Sequence, residues 1–110
     1  MTQLALAKTV FIDKRAEKEL KSFSRQVQLK FKTLFVILEK KGKLEEPFGK
    51  KLAGRDNLFE IRVKHDGQWR AIYAYIEKDL IIILLAFAKK TQKTPQAVLE
   101  KAKRRLSDYE

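Results

Sequence analysis

The sequence contains no cysteine and a single histidine, His65, among its 110 residues. The first absence removes disulfides, thiolate nucleophiles and every zinc site that needs sulfur ligands, which fits a cytoplasmic setting. The second removes any two-histidine metal motif and leaves His65 as the sole imidazole for a Ser-His-Asp arrangement. A metal site would have to be built from carboxylates, and none is expected. No Gly-rich phosphate loop, Walker motif or dinucleotide fingerprint occurs, which argues against an enzyme that uses a nucleotide cofactor. The longest apolar run, Leu80 to Ala88, is nine residues, far short of the roughly 20 that a membrane-spanning helix needs. Met1 to Lys8 lacks the basic and apolar regions of a signal peptide. Acidic residues are also scarce, 14 against 25 Lys and Arg, giving a net charge of +11. That imbalance favours a polyanionic partner such as nucleic acid or the ribosome.

What is present is the makeup of one folded domain spanning residues 1–110. Apolar residues are 45% and charged residues 35% of the chain, a mixture that excludes collagen-like and disordered sequences. Thr9 to Ile12 is β-branched and aromatic and stops at Asp13, an N-cap residue, so a strand followed by a helix is expected. Leu20, Phe23, Val27, Phe31, Leu34, Phe35 and Leu38 then recur at helical spacing until Gly42 supplies a stop, with a break near Ser22 to Ser24 that divides the stretch into two helices. Such a stripe is core packing and needs no cofactor to explain it. Lys43 to Asn57 lacks any period and reads as a long loop. Three strand-like runs follow, Leu58 to Lys64, Gln68 to Ile76 and Leu80 to Ala88, separated by short turns that imply an antiparallel meander. Thr94-Pro95 opens a terminal helix with a hydroxyl cap and proline in its first turn, and Leu99, Ala102, Leu106 and Tyr109 form its apolar stripe. The expected class is α+β: an N-terminal strand, two helices, the meander and a C-terminal helix.

The turn between the first two meander strands decides which chemistry shares a face. A two-residue Asp66-Gly67 turn would set Arg70 opposite Val63, stranding a guanidinium on the apolar face at a cost of about several kcal/mol. A three-residue loop His65-Asp66-Gly67, with Gly67 left-handed, instead pairs Val63 with Trp69, Ile61 with Ala71 and Phe59 with Tyr73. Arg62, Lys64 and Arg70 then collect on the other face, with Glu60 nearby. A three-residue turn Glu77-Lys78-Asp79 would set Ala86 opposite Arg70 and bring Ala88 and Lys90 to the same side. A shallow groove with a cationic floor is the expected result, suited to a phosphate. The same charges also read as the solvated face of a hairpin.

RNA carries its own nucleophile, the 2′-hydroxyl. A protein that orients it, takes its proton and neutralises charge on the phosphate therefore needs no metal. Clustered cations favour a neutral lysine at Lys64 or Lys90 by like-charge repulsion, while His65 suits proton transfer by type but sits in the turn. Lys50, Lys51 and Arg55 in the long loop, Lys89 and Lys93 after the third strand, and Lys101, Arg104 and Arg105 on the last helix extend the basic surface toward a nucleic-acid backbone. Tyr109 is the aromatic candidate for stacking, since Tyr73 and Tyr75 fall on the core face.

The segments Lys51-Leu52-Ala53-Gly54, Leu58-Phe59-Glu60-Ile61-Arg62-Val63, Gly67-Gln68-Trp69-Arg70-Ala71-Ile72-Tyr73 and Phe87-Ala88-Lys89-Lys90-Thr91-Gln92-Lys93-Thr94-Pro95 resemble the RelE/ParE superfamily of bacterial toxins, in its HigB-like, phage-derived branch. The resemblance implies a small RelE-like α+β fold, a cognate HigA-like helix-turn-helix antitoxin, and metal-independent cleavage of mRNA on the ribosome. It puts Arg62, Arg70 and Lys90 at the basic catalytic and phosphate-binding positions. Glu60 stands where a ribosome-dependent relative has a catalytic lysine, and that relative's C-terminal catalytic tyrosine has no clear counterpart near Gln96. Glu60 is then either a base or a partner of Arg62. The alternatives on this fold are a ParE-like inhibitor of DNA gyrase without nuclease chemistry, and an inactive nucleic-acid-binding relative.

Overall fold

The computed structural model describes residues 8–52 and 57–110. Strand β1 (Thr9–Ile12) leads into helices α1 (Lys14–Lys21) and α2 (Arg25–Lys41), followed by β2 (Gly49–Lys51), β3 (Phe59–Lys64), β4 (Gln68–Ile76), β5 (Leu80–Lys89) and α3 (Gln96–Ser107). The strands form one sheet in the order β1-β5-β4-β3-β2. β1 runs parallel to β5 and the other neighbours are antiparallel, so the meander is extended at both edges into a mixed sheet.

The helix boundaries follow from their caps. Asp13 ends β1 and accepts the Arg15 N–H at 2.8 Å, and Ser24 accepts from Val27 N at 3.3 Å. Each supplies an acceptor to an otherwise orphan amide of the first turn. Gly42 closes α2 in the left-handed conformation, its N–H bonded to Leu38 O. Ala16 and Leu20 on α1, with Val27, Phe31, Leu34, Phe35 and Leu38 on α2, are buried at three- and four-residue steps. They pack on the sheet face that carries Ile61, Val63, Ala71, Tyr73, Ile81 and Ile83. α3 lays Ala102 and Leu106 on the opposite face, against Ile72, Ala74, Ile82 and Leu84. Burying a leucine such as Leu106 contributes about 2 kcal/mol. β5 is central and covered on both sides, as its continuous apolar sequence predicts.

The stretch Lys43 to Asn57 is not all loop, because it contains β2. A Gly-Lys-Lys strand of three residues has no hydrophobic alternation to betray it; its pairing is made by backbone, and its lysines suit a sheet edge. A Cβ at Gly49 would stand 2.5 Å from Leu44 Cβ and 2.8 Å from Leu44 O, so the chain folds back on itself only because that residue is glycine.

Register determines the rest. The β3–β4 loop has three residues, and Val63 pairs with Trp69, Ile61 with Ala71 and Phe59 with Tyr73. Within it the left-handed residue is Asp66 (φ 49°), while Gly67 lies at φ 137°. Asp tolerates the left-handed region better than most side chains, which leaves the more extended positive φ to glycine. The β4–β5 turn also has three residues, but Ile72 pairs with Leu85 and Tyr73 with Ile83. Leu84 is therefore an extra residue, a β-bulge. Beyond it the register shifts by one, and Arg70 stands opposite Phe87, not Ala86.

Candidate functional site

α3 covers only part of its sheet face. Beside it, the side chains of Glu60 and Arg62 on β3, Arg70 on β4, Lys89 on β5 and Lys50 on β2 share that face, since directly paired residues project to the same side. Glu60 is 1% exposed. Its Oε1 accepts from Arg62 Nε at 3.2 Å and its Oε2 from the Thr94 hydroxyl at 2.8 Å. Arg70 Nε lies 3.6 Å from Oε1, an ion pair beyond hydrogen-bond reach. Arg70 is held by Nη1 donating to Trp69 O and Nη2 to Gln68 Oε1. Its Nε is buried with no hydrogen-bond partner.

A buried carboxylate facing two guanidiniums is compensated in charge and fixed in place. Glu60 therefore holds Arg62 and Arg70 and is sealed from solvent. Arg70 is itself buried, at 7% exposure, which differs from a placement out on a solvated groove. Burial pushes its guanidinium down from the usual range; the Glu60 carboxylate opposes this and the Arg62 charge adds to it. Lys89 responds alike: burial lowers its ammonium, Glu60 raises it, and Arg70, Arg62 and Lys50 lower it further.

The structure relocates several residues read from the sequence. The bulge turns Ala86 toward the α1–α2 core, and Phe87 and Lys89 take the positions beside Arg70 and Gln68. Lys90 follows the end of β5 and is exposed, so it does not join Arg70's face through the strand register. Lys64 is exposed at the end of β3, opposite Gln68. Lys51 pairs with Phe59 and so projects to the other side from Lys50. Lys93, Lys101 and Arg104 are exposed, and Arg55 lies outside the described residues. Arg105 is no part of the exposed basic surface. It is 9% exposed and paired with Glu19, Nη1 to Oε1 at 3.0 Å and Nη2 to Oε2 at 2.9 Å.

Thr94 does not cap α3 either. Pro95 occupies the cap position without a side-chain bond, and the Thr94 hydroxyl is spent on Glu60. That link was invisible in sequence because it joins residues 34 positions apart. Tyr109 donates to Asp13 Oδ2 at 2.6 Å and meets Phe11 edge-on, which makes it an anchor for the C-terminal segment. Tyr73 and Tyr75 face the core as expected, and burial raises both phenols. His65 sits in the β3–β4 loop, its carbonyl accepting from Trp69 Nε1 at 2.9 Å.

A cleft of about 350 Å³ opens beside the two arginines, lined by Pro47, Phe48, Arg62, Val63, Lys64, Gln68 and Arg70. A larger groove of about 580 Å³ shares Phe48, Arg62, Val63 and Lys64 and runs along α2 past Leu34 and Ile37. Among the described residues no group of three or more His, Asp or Glu converges as a metal site, and no helix is long and apolar enough to cross a membrane.

This architecture recurs in solved toxins. A mutant of the E. coli toxin RelE in the free state superposes with a TM-score of 0.71 at 22% identity, covering 91% of this chain and 98% of that one. The archaeal RelE-RelB complex from Pyrococcus horikoshii OT3 gives 0.59 at 28% identity over 74% and 94% of the two chains. The intact E. coli RelBE toxin-antitoxin complex gives 0.65 at 22% over 77% and 100%. No curated protein matches the chain. The fold is that of the RelE/ParE-like toxin superfamily. Residues 18–107 match the family model described as "Phage derived protein Gp49-like (DUF891)", and the chain belongs to that family.

Proposed function

We propose that this protein is the toxin of a type II toxin-antitoxin pair and that it cleaves mRNA on the ribosome without a metal. The observation that carries the reading is the pairing of Arg62 and Arg70 with the buried Glu60 beside an open cleft, with Lys89 on the same face of the sheet. Three cations against one carboxylate leave an excess of positive charge for a phosphodiester, already oriented before substrate arrives. The structures of RelE-RelB complexes support an antitoxin as partner, and the HigB-like resemblance supports a HigA-like helix-turn-helix protein in that role.

In the proposed reaction the RNA 2′-oxygen attacks the adjacent phosphorus in line. The 2′-O–P bond forms, the P–O5′ bond breaks, and the products are a 2′,3′-cyclic phosphate and a free 5′-hydroxyl. Arg62 and Arg70 stabilise the charge on the pentacoordinate phosphorus. Lys89, whose ammonium is depressed by burial and neighbouring cations, accepts the 2′-hydroxyl proton as the neutral amine. Lys64, across Gln68 in the strand register, returns a proton to the leaving 5′-oxygen. Glu60 takes neither role, because both of its oxygens are occupied within the fold. The exposed Lys50, Lys93, Lys101 and Arg104 supply long-range attraction to ribosomal phosphates.

Primer extension on an mRNA in a reconstituted translation reaction tests this reading. Wild-type protein should create new ends only when ribosomes are present, and Arg62→Ala and Arg70→Ala should abolish them. Intact mRNA with wild-type protein would overturn nuclease function and direct attention to gyrase supercoiling.

A further inference from the structure

Phe48 is 53% exposed, a large apolar ring left in water at the lip of the cleft that holds Arg62 and Arg70. Its position is set by backbone: Arg62 N donates to Phe48 O at 2.9 Å, continuing the β2–β3 ladder one residue beyond Gly49↔Ile61. Phe48 lies in the turn that precedes β2; this bond sets its backbone beside Arg62, and its ring lines both the cleft of Arg62 and Arg70 and the groove along α2. Read across the strands, one row runs Phe48, Arg62, Arg70, Phe87. Two guanidiniums lie at its centre and an exposed ring at its open end.

From this row we infer that Phe48 is a stacking platform for the nucleobase next to the phosphate held by Arg62 and Arg70. The inference deepens the RNA-cleavage reading and rests on it. Each nucleotide is an anion joined to a flat π surface, and the cleft offers two guanidiniums with an exposed aromatic ring at its lip. An aromatic face accepts any base, so the platform supplies affinity and alignment without reading sequence. Holding the base fixes the ribose and thereby the direction of its 2′-oxygen. An acidic peptide would satisfy the guanidiniums equally, but it has no need of a flat exposed ring immediately beside them.

The test uses the full chain and two fluorescent probes of equal charge at about 50 mM salt, where phosphate contacts are strong. One is a ten-residue 2′-O-methyl oligouridylate, which cannot be cleaved; the other is an abasic phosphodiester of the same length. Wild type should favour the oligouridylate by about tenfold. Phe48→Ala and Phe48→Leu should erase that preference while leaving abasic binding and the melting temperature near wild type. Phe48→Trp should keep the preference and add an indole signal quenched by oligouridylate alone. Retention of the preference in Phe48→Ala overturns the platform, even if Arg70→Ala weakens both probes and so upholds the phosphate site. Failure of wild type to bind either probe overturns the platform, whereas the RNA-cleavage reading stands or falls separately on the ribosome-dependent ends seen in primer extension.

Discussion

Arg105 on α3 and Glu19 on α1 form a two-pronged ion pair, with both guanidinium nitrogens within 3.0 Å of the carboxylate oxygens. The pair also serves the bulge of β5. Arg105 Nη1 donates to Leu84 O at 2.9 Å, and Glu19 Oε1 accepts from Ala86 N at 3.1 Å. β1 pairs with β5 only as far as Ile83, so these backbone groups would otherwise lack partners. Two side chains from separate helices thus stabilise the bulge that sets which lysine shares Arg70's face of the sheet.

Removing either partner should therefore be costly. Arg105→Ala leaves Glu19 without its counter-charge and Leu84 O without its donor, and the expected loss is about 3 kcal/mol. Glu19→Gln keeps the shape and the acceptor for Ala86 N, and should lose about 1 kcal/mol. Urea unfolding of the two variants and their double mutant would give the coupling between them. Additive losses would show that the pair is not the bond holding the bulge.

Glu60→Gln tests the organising carboxylate. The amide retains hydrogen-bonding capacity but leaves Arg62, Arg70 and Lys89 without a counter-charge. The folded protein should lose about 2–4 kcal/mol and RNA cleavage should fall, although Glu60 does not touch the substrate. Thr94→Val should show the same pattern more weakly, since it removes a single 2.8 Å hydrogen bond to Glu60. Thermal melts alongside cleavage rates would check both. Full stability in Glu60→Gln would mean that the arginines do not depend on it.

Much of this arrangement was legible in the sequence, and the exceptions share a cause. Alternation of Phe59, Ile61 and Val63 with Glu60, Arg62 and Lys64 specified the faces of β3, and the cost of burying Arg70 opposite Val63 selected the three-residue turn. Local patterns of that kind carry their own periodicity. The bulge at Leu84 lies inside an unbroken apolar run, where either neighbour can face the core, so no pattern reported the shift from Lys90 to Lys89. The burial of Arg105 and the Thr94–Glu60 link depend on partners 86 and 34 residues away. β2 is written in backbone pairing, and Phe48 was hidden in a segment read as a loop.

Asp13 sets an acid limit on stability. Bonds from Arg15 hold its carboxyl well below the usual carboxylate range, with the Tyr109 hydroxyl adding to the effect and burial opposing it. A folded pKa below the unfolded value of about 3.9 means that the contribution is complete above that pH. It is lost as pH falls toward the folded value. Wild-type stability should decline below about pH 4, and Asp13→Asn should be less stable at pH 7 by about 1–2 kcal/mol with a flatter acid limb. Denaturant midpoints between pH 2 and 7 would show it. Parallel curves for the two proteins would remove Asp13 as the cause.

The exchange of Lys90 for Lys89 gives the sharpest kinetic prediction. If the neutral Lys89 amine takes the 2′-hydroxyl proton, kcat/KM should rise with pH and level off below the ordinary lysine value near 10.4, because burial and the surrounding cations depress its ammonium. Lys89→Ala should lower cleavage by about a hundredfold or more and abolish that limb, whereas Lys90→Ala should stay within about threefold of wild type. Glu60→Gln should move the limb to lower pH, since the Glu60 carboxylate is the neighbour that raises Lys89. A limb that survives in Lys89→Ala and disappears in Lys90→Ala would return the base to the exposed lysine and require the segment after β5 to fold over the cleft when RNA binds.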